Sequence, residues 1–133
     1  MPDIFEKVTA LGFPPGEYVV VASGVLEAIG IRKARDVDMT VTPELFERLR
    51  ASGEWREVER WGKIFLEKDG FDIIPELSWP AYPTTTKQAI ASAMMIRSIP
   101  FLNLDELIKF KRALGRKKDL ADIELIEARL KKE

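Results

Sequence analysis

The feature that most constrains the fold is a run of six residues, 36–41, in which polar and apolar side chains alternate. This period of two is typical of a β-strand with one apolar face and one polar face. Residues two apart on a strand point to the same side, so Asp36 and Asp38 present two carboxylates on one face. The run therefore predicts a strand that carries a pair of acids.

The residues before this strand predict a helix, a buried strand and a second, brief helix. Asp3 and Glu6 form a capping-box pattern, and Gly12 follows the apolar helical positions as a stop. Residues 18–21 are a β-branched and aromatic run typical of a buried strand. This run leads through a small-residue turn, 22–24, into the brief helix, which ends near residue 30.

The residues after the strand at 36–41 predict a helix and then a hairpin. Thr42 can cap the helix, and Gly53 lies just past its end. Residues 55–60 are a weak strand candidate. Residues 64–66 pair with residues 71–74 through an Asp-Gly pair at 69–70, which is the preferred sequence of a type I′ turn.

The last third of the chain predicts helices. Residues 78–86 contain two prolines and are expected to form a loop, followed by a helix over 87–96. Residues 103–114 have the capping pattern of a helix, and Asp119 is expected to cap a final helix with an apolar stripe.

Composition limits the chemistry that the chain can perform. At 133 residues and 46% hydrophobic composition, the length is that of one ordinary domain. There is no cysteine and no histidine, so chemistry depends on carboxylates, hydroxyls, Lys, Arg or a bound metal ion. A net charge of −1 selects neither nucleic acid nor membrane as a partner, and the lack of a signal or spanning segment predicts a cytoplasmic protein.

Three acids are the candidate metal ligands. Asp36 and Asp38 can hold divalent ions that neutralise phosphate oxygens, and Asp72 lies opposite Glu67 in the predicted hairpin, where a cation would relieve the repulsion. The alternative is that all of these acids face solvent on ordinary strands. The small-residue turn at 22–24 can receive a phosphate on its backbone N–H groups, although such turns are common in α/β proteins.

In their order and spacing, these features resemble the nucleotidyltransferase superfamily that includes DNA polymerase β, and particularly its minimal, stand-alone bacterial members. That family has a strand ending in Gly-Ser or Gly-Gly, a short helix, an Asp-x-Asp strand and a third carboxylate on a later strand. Residues 30–38, Gly-Ile-Arg-Lys-Ala-Arg-Asp-Val-Asp, look like the run Gly-Ile-Arg-x-Thr-Arg-Asp-x-Asp of small members. Residues 111–119 are similar to their Lys-x-x-x-Gly-Arg-x-Lys-Asp tail.

The resemblance implies an α+β fold with a nucleotidyltransferase-like mixed β-sheet flanked by helices and a C-terminal helical segment. It implies one domain over residues 1–133, with a core at about 1–77 and a helical part at about 84–133. It also implies metal-dependent transfer of a nucleoside monophosphate from a nucleoside triphosphate to a hydroxyl of an unknown acceptor, which is a small molecule, RNA or protein.

The residues matching the family motifs carry the implied roles. Asp36 and Asp38 would bind Mg²⁺ or Mn²⁺, and Asp72 would complete the metal site and help to activate the acceptor hydroxyl. The nucleotide contacts would come from four further residues, which are Ser23, Gly24, Lys111 and Arg116.

Two departures from the family pattern leave a second function open. Ala22 replaces the first glycine of the usual pair, and Ala34 replaces a common threonine. The alternative is a catalytically weak or inactive binding module, such as an antitoxin or partner subunit, that holds a protein partner or a second copy of itself. A third possibility is an α/β protein whose acids are ordinary surface residues. Trp79 and Tyr82 could stack on a base, but packing is the preferred interpretation for both.

Overall fold

The fold is built on a mixed seven-stranded sheet with helices on its flanks. The computed structural model describes residues 3–78 and 80–131. The strands within these residues are β1 (Tyr18–Val21), β2 (Val37–Val41), β3 (Arg56–Arg60), β4 (Lys63–Lys68), β5 (Phe71–Ile74), β6 (Met94–Ile96) and β7 (Ile99–Phe101). The helices are α1 (Ile4–Leu11), α2 (Ser23–Ala28), α3 (Pro43–Ser52), α4 (Thr86–Ala91), α5 (Leu104–Leu114) and α6 (Lys117–Lys131).

The strand order across the sheet is β3-β4-β5-β2-β1-β7-β6. β2 runs antiparallel to β1 and parallel to β5, and β1 runs parallel to β7. The pairs β3-β4, β4-β5 and β6-β7 are antiparallel hairpins. The sheet is therefore mixed, and the predicted α+β class with a C-terminal helical segment is confirmed.

Local signals in the sequence account for most helix boundaries. The Thr42 hydroxyl accepts a hydrogen bond from the Leu45 N–H, which caps α3, and Asn103 caps α5 through the Glu106 N–H in the same way. After α5, Gly115 adopts the left-handed conformation with φ 65°. Each of these boundaries was predicted because a cap is satisfied by residues only a few positions away.

The β4-β5 hairpin forms in the predicted register. Asp69 and Gly70 both have positive φ values, as a type I′ turn requires, and Glu67 lies opposite Asp72. Two further two-residue hairpin turns have positive φ at both positions. They are formed by Trp61 with Gly62 and by Arg97 with Ser98.

The core lies around the central strands. All four residues of β1 are buried, as is Met39 at the middle of β2. Ile4 of α1 and Leu107 of α5 pack into the same apolar cluster. At the start of α2, a methyl group on Gly24 would lie 2.6 Å from a side-chain carbon of Val20, so only glycine lets this helix approach β1 so closely.

The predicted helix over residues 87–96 is wrong in its second half. α4 ends at Ala91, and residues 94–96 form β6, which pairs with β7. β7 in turn lies parallel to β1, and the Leu102 N–H donates to the Val20 carbonyl at 2.8 Å. Sheet pairing satisfies the backbone here, so the segment predicted as helical also contributes one strand, β6, and β7 follows directly after it.

The final helix begins at Lys117, three residues before Leu120, which a cap at Asp119 would make its first residue. Asp119 is therefore its third residue rather than its cap. Its carboxylate accepts a hydrogen bond from the backbone N–H of Arg116 at 3.3 Å, which is the reciprocal half of a capping box.

Tyr82 is buried, as its predicted packing role requires. It makes an edge contact with Phe110 of α5 and donates a hydrogen bond to Glu106. Trp79 lies outside the described residues. Within the described ranges, no helix is both long enough and apolar enough to cross a membrane.

Candidate functional site

A cleft of about 1010 Å³ opens where β1 ends and where β2 and β5 begin. Strand directions explain this location, since Val21 at the end of β1 pairs with Asp38 near the start of β2. Six acidic residues line the cleft, which are Asp36, Asp38, Asp72, Glu76, Asp119 and Asp122. Seven basic residues line it as well, which are Arg32, Arg35, Arg60, Lys63, Lys111, Arg116 and Lys118.

The three acids predicted as metal ligands all line this cleft. Asp38 and Asp72 are direct neighbours on the parallel strands β2 and β5, where strand spacing is about 4.8 Å. Both side chains are half-buried. Asp36 lies immediately before β2 and is exposed. Sheet pairing thus brings Asp72 beside Asp38, which lies 34 positions earlier in the chain.

The environment of the acid pair disfavours ionisation. Burial raises the pKa of Asp38 to about 6, and the charges of Asp72 and Asp36 add to the rise. Burial also raises the pKa of Asp72, although the Arg60 guanidinium, 3.7 Å from its carboxylate, acts in the opposite direction. A half-buried carboxylate pair of this kind is stabilised by a proton or a cation between its members.

Arg60 links the acid pair to the neighbouring hairpin. Its guanidinium also contacts Glu67 on β4, and Arg56 binds the same carboxylate. The hydrogen bond from Arg56, together with the charge of Arg60, lowers the pKa of Glu67. The predicted repulsion between Glu67 and Asp72 is therefore relieved by arginines.

Among the residues that the structure describes, no group of three or more acidic, histidine or cysteine side chains is arranged to hold a metal ion. Mg²⁺ in phosphate-transfer sites commonly uses only one or two carboxylates, with substrate phosphates and water completing its shell. The adjacent pair Asp38 and Asp72, with exposed Asp36 beside it, fits that smaller donor set.

A second charged cluster forms another part of the cleft. Arg32 donates through Nε and Nη2 to Asp122 at 3.2 and 2.8 Å. Lys111 donates to the same carboxylate at 2.9 Å and lies 3.6 Å from Asp119. Arg116 donates to Asp119 through Nε at 2.6 Å. We call these five residues the cation cluster, because three positive charges face two carboxylates.

Hydrogen bonding keeps both carboxylates of the cation cluster ionised. Burial alone would raise the pKa of Asp122, but hydrogen bonds from Arg32 and Lys111 outweigh it and lower the pKa. Burial also opposes ionisation of Asp119, and the hydrogen bond and charge of Arg116 outweigh it there. The cluster therefore keeps an excess positive charge beside the acid pair.

The two basic residues predicted to contact nucleotide occupy different environments. Lys111 is only 3% exposed, and its ammonium group is engaged with two carboxylates. The Arg116 side chain is 53% exposed, and its charge interacts with that of Asp38. Arg116 is thus available to a ligand in the cleft, whereas Lys111 is buried and interacts with the two carboxylates of the cluster.

The predicted turn residues, Ser23 and Gly24, also lie in different environments. Ser23 lines the cleft, with its hydroxyl 3.5 Å from Nη2 of Arg32. Gly24 is buried against Val20 and does not line the cleft. Ala22 does line it, with φ 57° and ψ −133°, a conformation that glycine adopts far more readily than alanine.

Several cleft residues received no role from the sequence. Arg32 and Asp122 lie inside or next to the motif runs, but only the folded chain shows that they bind each other across 90 positions. Arg60 and Trp61 lie in and just after a weakly predicted strand. A basic and an aromatic residue at a hairpin tip beside the acid strand would have been the available signal.

Comparison with known proteins gives no match. No family model, no curated protein and no solved structure matches the chain. A functional hypothesis for this chain therefore has to come from the geometry and chemistry of the cleft.

Proposed function

We propose that the cleft binds a nucleoside triphosphate with a divalent metal ion and transfers its nucleoside monophosphate to an acceptor hydroxyl. One observation carries this proposal: the half-buried carboxylates of Asp38 and Asp72 lie side by side, with the excess positive charge of the cation cluster lining the same cleft. A metal-triphosphate complex carries the complementary charges, since it joins a cation to a chain of anionic oxygens.

The acid pair matches the metal part of such a ligand. Two adjacent carboxylates repel each other, and burial makes their ionisation more costly. A divalent ion relieves both effects, and bound Mg²⁺ or Mn²⁺ supplies neutralisation of phosphate oxygens and activation of a hydroxyl. Asp38 and Asp72 would hold the ion, with exposed Asp36 beside them.

Asp72 is also the residue placed to receive a proton. Its carboxylate lies beside Asp38 and is oriented by Arg60 at 3.7 Å. In the proposed reaction the acceptor oxygen forms a bond to the α-phosphorus, the bond to pyrophosphate breaks, and the hydroxyl proton passes towards Asp72.

The cation cluster matches the phosphate part. Arg32 and Arg116 each present one side of a guanidinium group to a carboxylate, and each side chain remains about half exposed. Their remaining N–H groups can donate to the β- and γ-phosphates, with the Ser23 hydroxyl beside Arg32. Lys111 binds Asp122 and lies near Asp119, so it offsets part of the negative charge that both arginines face.

A protein-binding role without efficient catalysis is the second candidate, and Ala22 is the observation that favours it. Its methyl group lines the cleft next to Ser23, where phosphates would approach the backbone. In this version the fold is retained to hold another chain, and nucleotide binding is weak.

The test is a thermal-shift titration with Mn²⁺ and each of the four nucleoside triphosphates. At about 100 times Kd, binding adds about 2.7 kcal/mol, which moves the midpoint by several degrees in a domain of this size. We expect a shift that requires both metal and nucleotide and is lost in the Asp36→Asn, Asp38→Asn double variant.

The matched control is Asp69→Asn, which also neutralises an aspartate but lies in the β4-β5 turn, where asparagine is equally suited. The control should shift like the wild type. A shift that survives in the double variant would show that Asp36 and Asp38 do not hold the metal-nucleotide complex. No shift in the wild type would favour the protein-binding role.

A further inference from the structure

Trp61 occupies an unusual position at the mouth of the cleft. It lies with Gly62 in the two-residue turn between β3 and β4, and both residues have positive φ values, 51° and 74°. Its side chain is 85% exposed and lines the same cleft as the acid pair.

This placement is unfavourable for folding in two ways. Positive φ is strained for a bulky aromatic residue, and type I′ turns prefer Asn, Asp or Gly at this position. Exposure of an indole ring also forgoes the stabilisation that burial would supply. The hairpin itself therefore does not require tryptophan. Ligand binding is the alternative role for this side chain.

The surroundings hold the ring while leaving it accessible. Trp61 makes an edge contact with Phe65, with ring centroids 5.9 Å apart and planes at 66°. The Arg60 guanidinium lies 5.4 Å from the centre of the Phe65 ring. Lys63, the first residue of β4, also lines the cleft. Basic and aromatic side chains interleaved in this way are the arrangement that binds bases by stacking and phosphates by charge.

We propose that Trp61 is a stacking platform for a nucleobase of a ligand bound in the cleft. This inference rests on the proposed function and assigns a further subsite to it. By strand order, Asp72 on β5 lies between Trp61 and β1, and the cation cluster contacts Ser23, which follows β1. The aromatic end of the cleft is therefore distinct from the end proposed for pyrophosphate.

In-line displacement places the acceptor opposite the leaving pyrophosphate. A base at the aromatic end can accordingly come from two sources, the donor nucleotide or a nucleoside that carries the acceptor hydroxyl. The stacking chemistry is the same in both cases, and separate ligands distinguish them.

The experiment measures binding of three probes by isothermal titration calorimetry in the presence of Mg²⁺. Inorganic tripolyphosphate has no base, α,β-methylene-ATP adds the donor base, and the RNA dinucleotide ApA, added to tripolyphosphate-saturated protein, represents the acceptor. The variants are Trp61→Asn, which suits the turn, and Trp61→Phe, which keeps a ring.

We expect Trp61→Asn to weaken binding of one base-bearing probe by about tenfold or more and to leave tripolyphosphate binding unchanged. Trp61→Phe should retain most of the affinity. Loss for α,β-methylene-ATP identifies the donor base as the stacking partner, and loss for ApA identifies the acceptor.

Unchanged affinity of Trp61→Asn for both base-bearing probes would overturn the proposal. Failure of tripolyphosphate to bind the wild type would instead count against the proposed function, so the two failures are distinguishable.

Discussion

At the scale of single residues, Ala22 has backbone dihedral angles that favour glycine although it carries a side chain. Its φ of 57° with ψ of −133° lies in a region that glycine occupies readily and alanine occupies only with strain. The conformation is imposed by the sharp turn from buried β1 into α2. Ala22 thus keeps the backbone of a glycine while adding a methyl group to the cleft.

We expect Ala22→Gly to stabilise the protein by about 1 kcal/mol, because relief of strain exceeds the extra flexibility of glycine in the unfolded chain. Removal of the methyl group should also tighten nucleotide binding. Urea denaturation and the thermal-shift titration measure the two effects.

Ala34→Gly is the matched control, since it also removes a largely buried methyl group but has no positive φ to relieve. It should destabilise the protein. If Ala22→Gly destabilises it to the same extent, the strain at Ala22 is absent.

At the scale of secondary-structure elements, α5 and α6 are joined through a buried lysine. Lys111 of α5 binds Asp122 and approaches Asp119, both buried residues of α6. Gly115 and Arg116 connect the two helices in the chain, and the helices also pack against each other. A buried charge in such a network has a large effect on stability when its partner is removed.

We expect Lys111→Met to cost about 3 kcal/mol of unfolding free energy, because it leaves two buried carboxylates with one cation fewer. Lys109→Met is the control on the same helix, since its exposed ammonium group binds Glu106 at the surface. Its cost should stay below about 1 kcal/mol. Equal costs for the two variants, measured by urea denaturation, would show that the buried network does not stabilise the helix pair.

The hairpins show how far a turn can be predicted at this scale. Asp69 and Gly70 have side chains suited to positive φ, and their turn was predicted in the correct register. Residues 97–98, Arg and Ser, adopt the same type of turn without that composition. There, pairing of β6 with β7 and of β7 with β1 decides the backbone conformation.

At the scale of the whole molecule, two sets of carboxylates respond to pH in opposite directions. Burial raises the pKa of Asp38 to about 6, above its unfolded value of about 3.9. Between these two pH values the unfolded state loses its proton first, so the stability of the folded protein falls as pH rises. Asp119 and Asp122 have lowered pKa values. Their contribution is present above the unfolded pKa and is lost as pH falls through the folded values.

Without divalent metal, we therefore expect stability to rise by about 2 kcal/mol as pH falls from about 7.5 towards 4.5, and then to decline in more acidic solution. Asp38→Asn should be more stable than the wild type at neutral pH and should lack most of the rise. Urea denaturation across this range in EDTA measures both curves. A wild type that is most stable at neutral pH would contradict the assigned environment of Asp38.

The organisation of the molecule explains which predictions succeeded. Caps, turn residues and the alternation of residues 36–41 act over a few positions, so their energies are settled locally and were visible in the sequence. The helix predicted over residues 87–96 failed because a local preference competed with sheet pairing to β1. A strand order in which β7 joins β1 depends on contacts across the whole chain.

The same distinction applies to the site. The sequence by itself made Asp36, Asp38 and Asp72 the candidate metal ligands, because it contains no cysteine or histidine and predicts strands at these acids. Only the tertiary structure decided that Asp38 and Asp72 are neighbours and that Arg32 binds Asp122. The tertiary structure also decided that Lys111 is buried and that Trp61 is exposed. The reason is physical: residue type fixes which charges and rings are present, whereas packing of distant segments sets their separation, burial and partners.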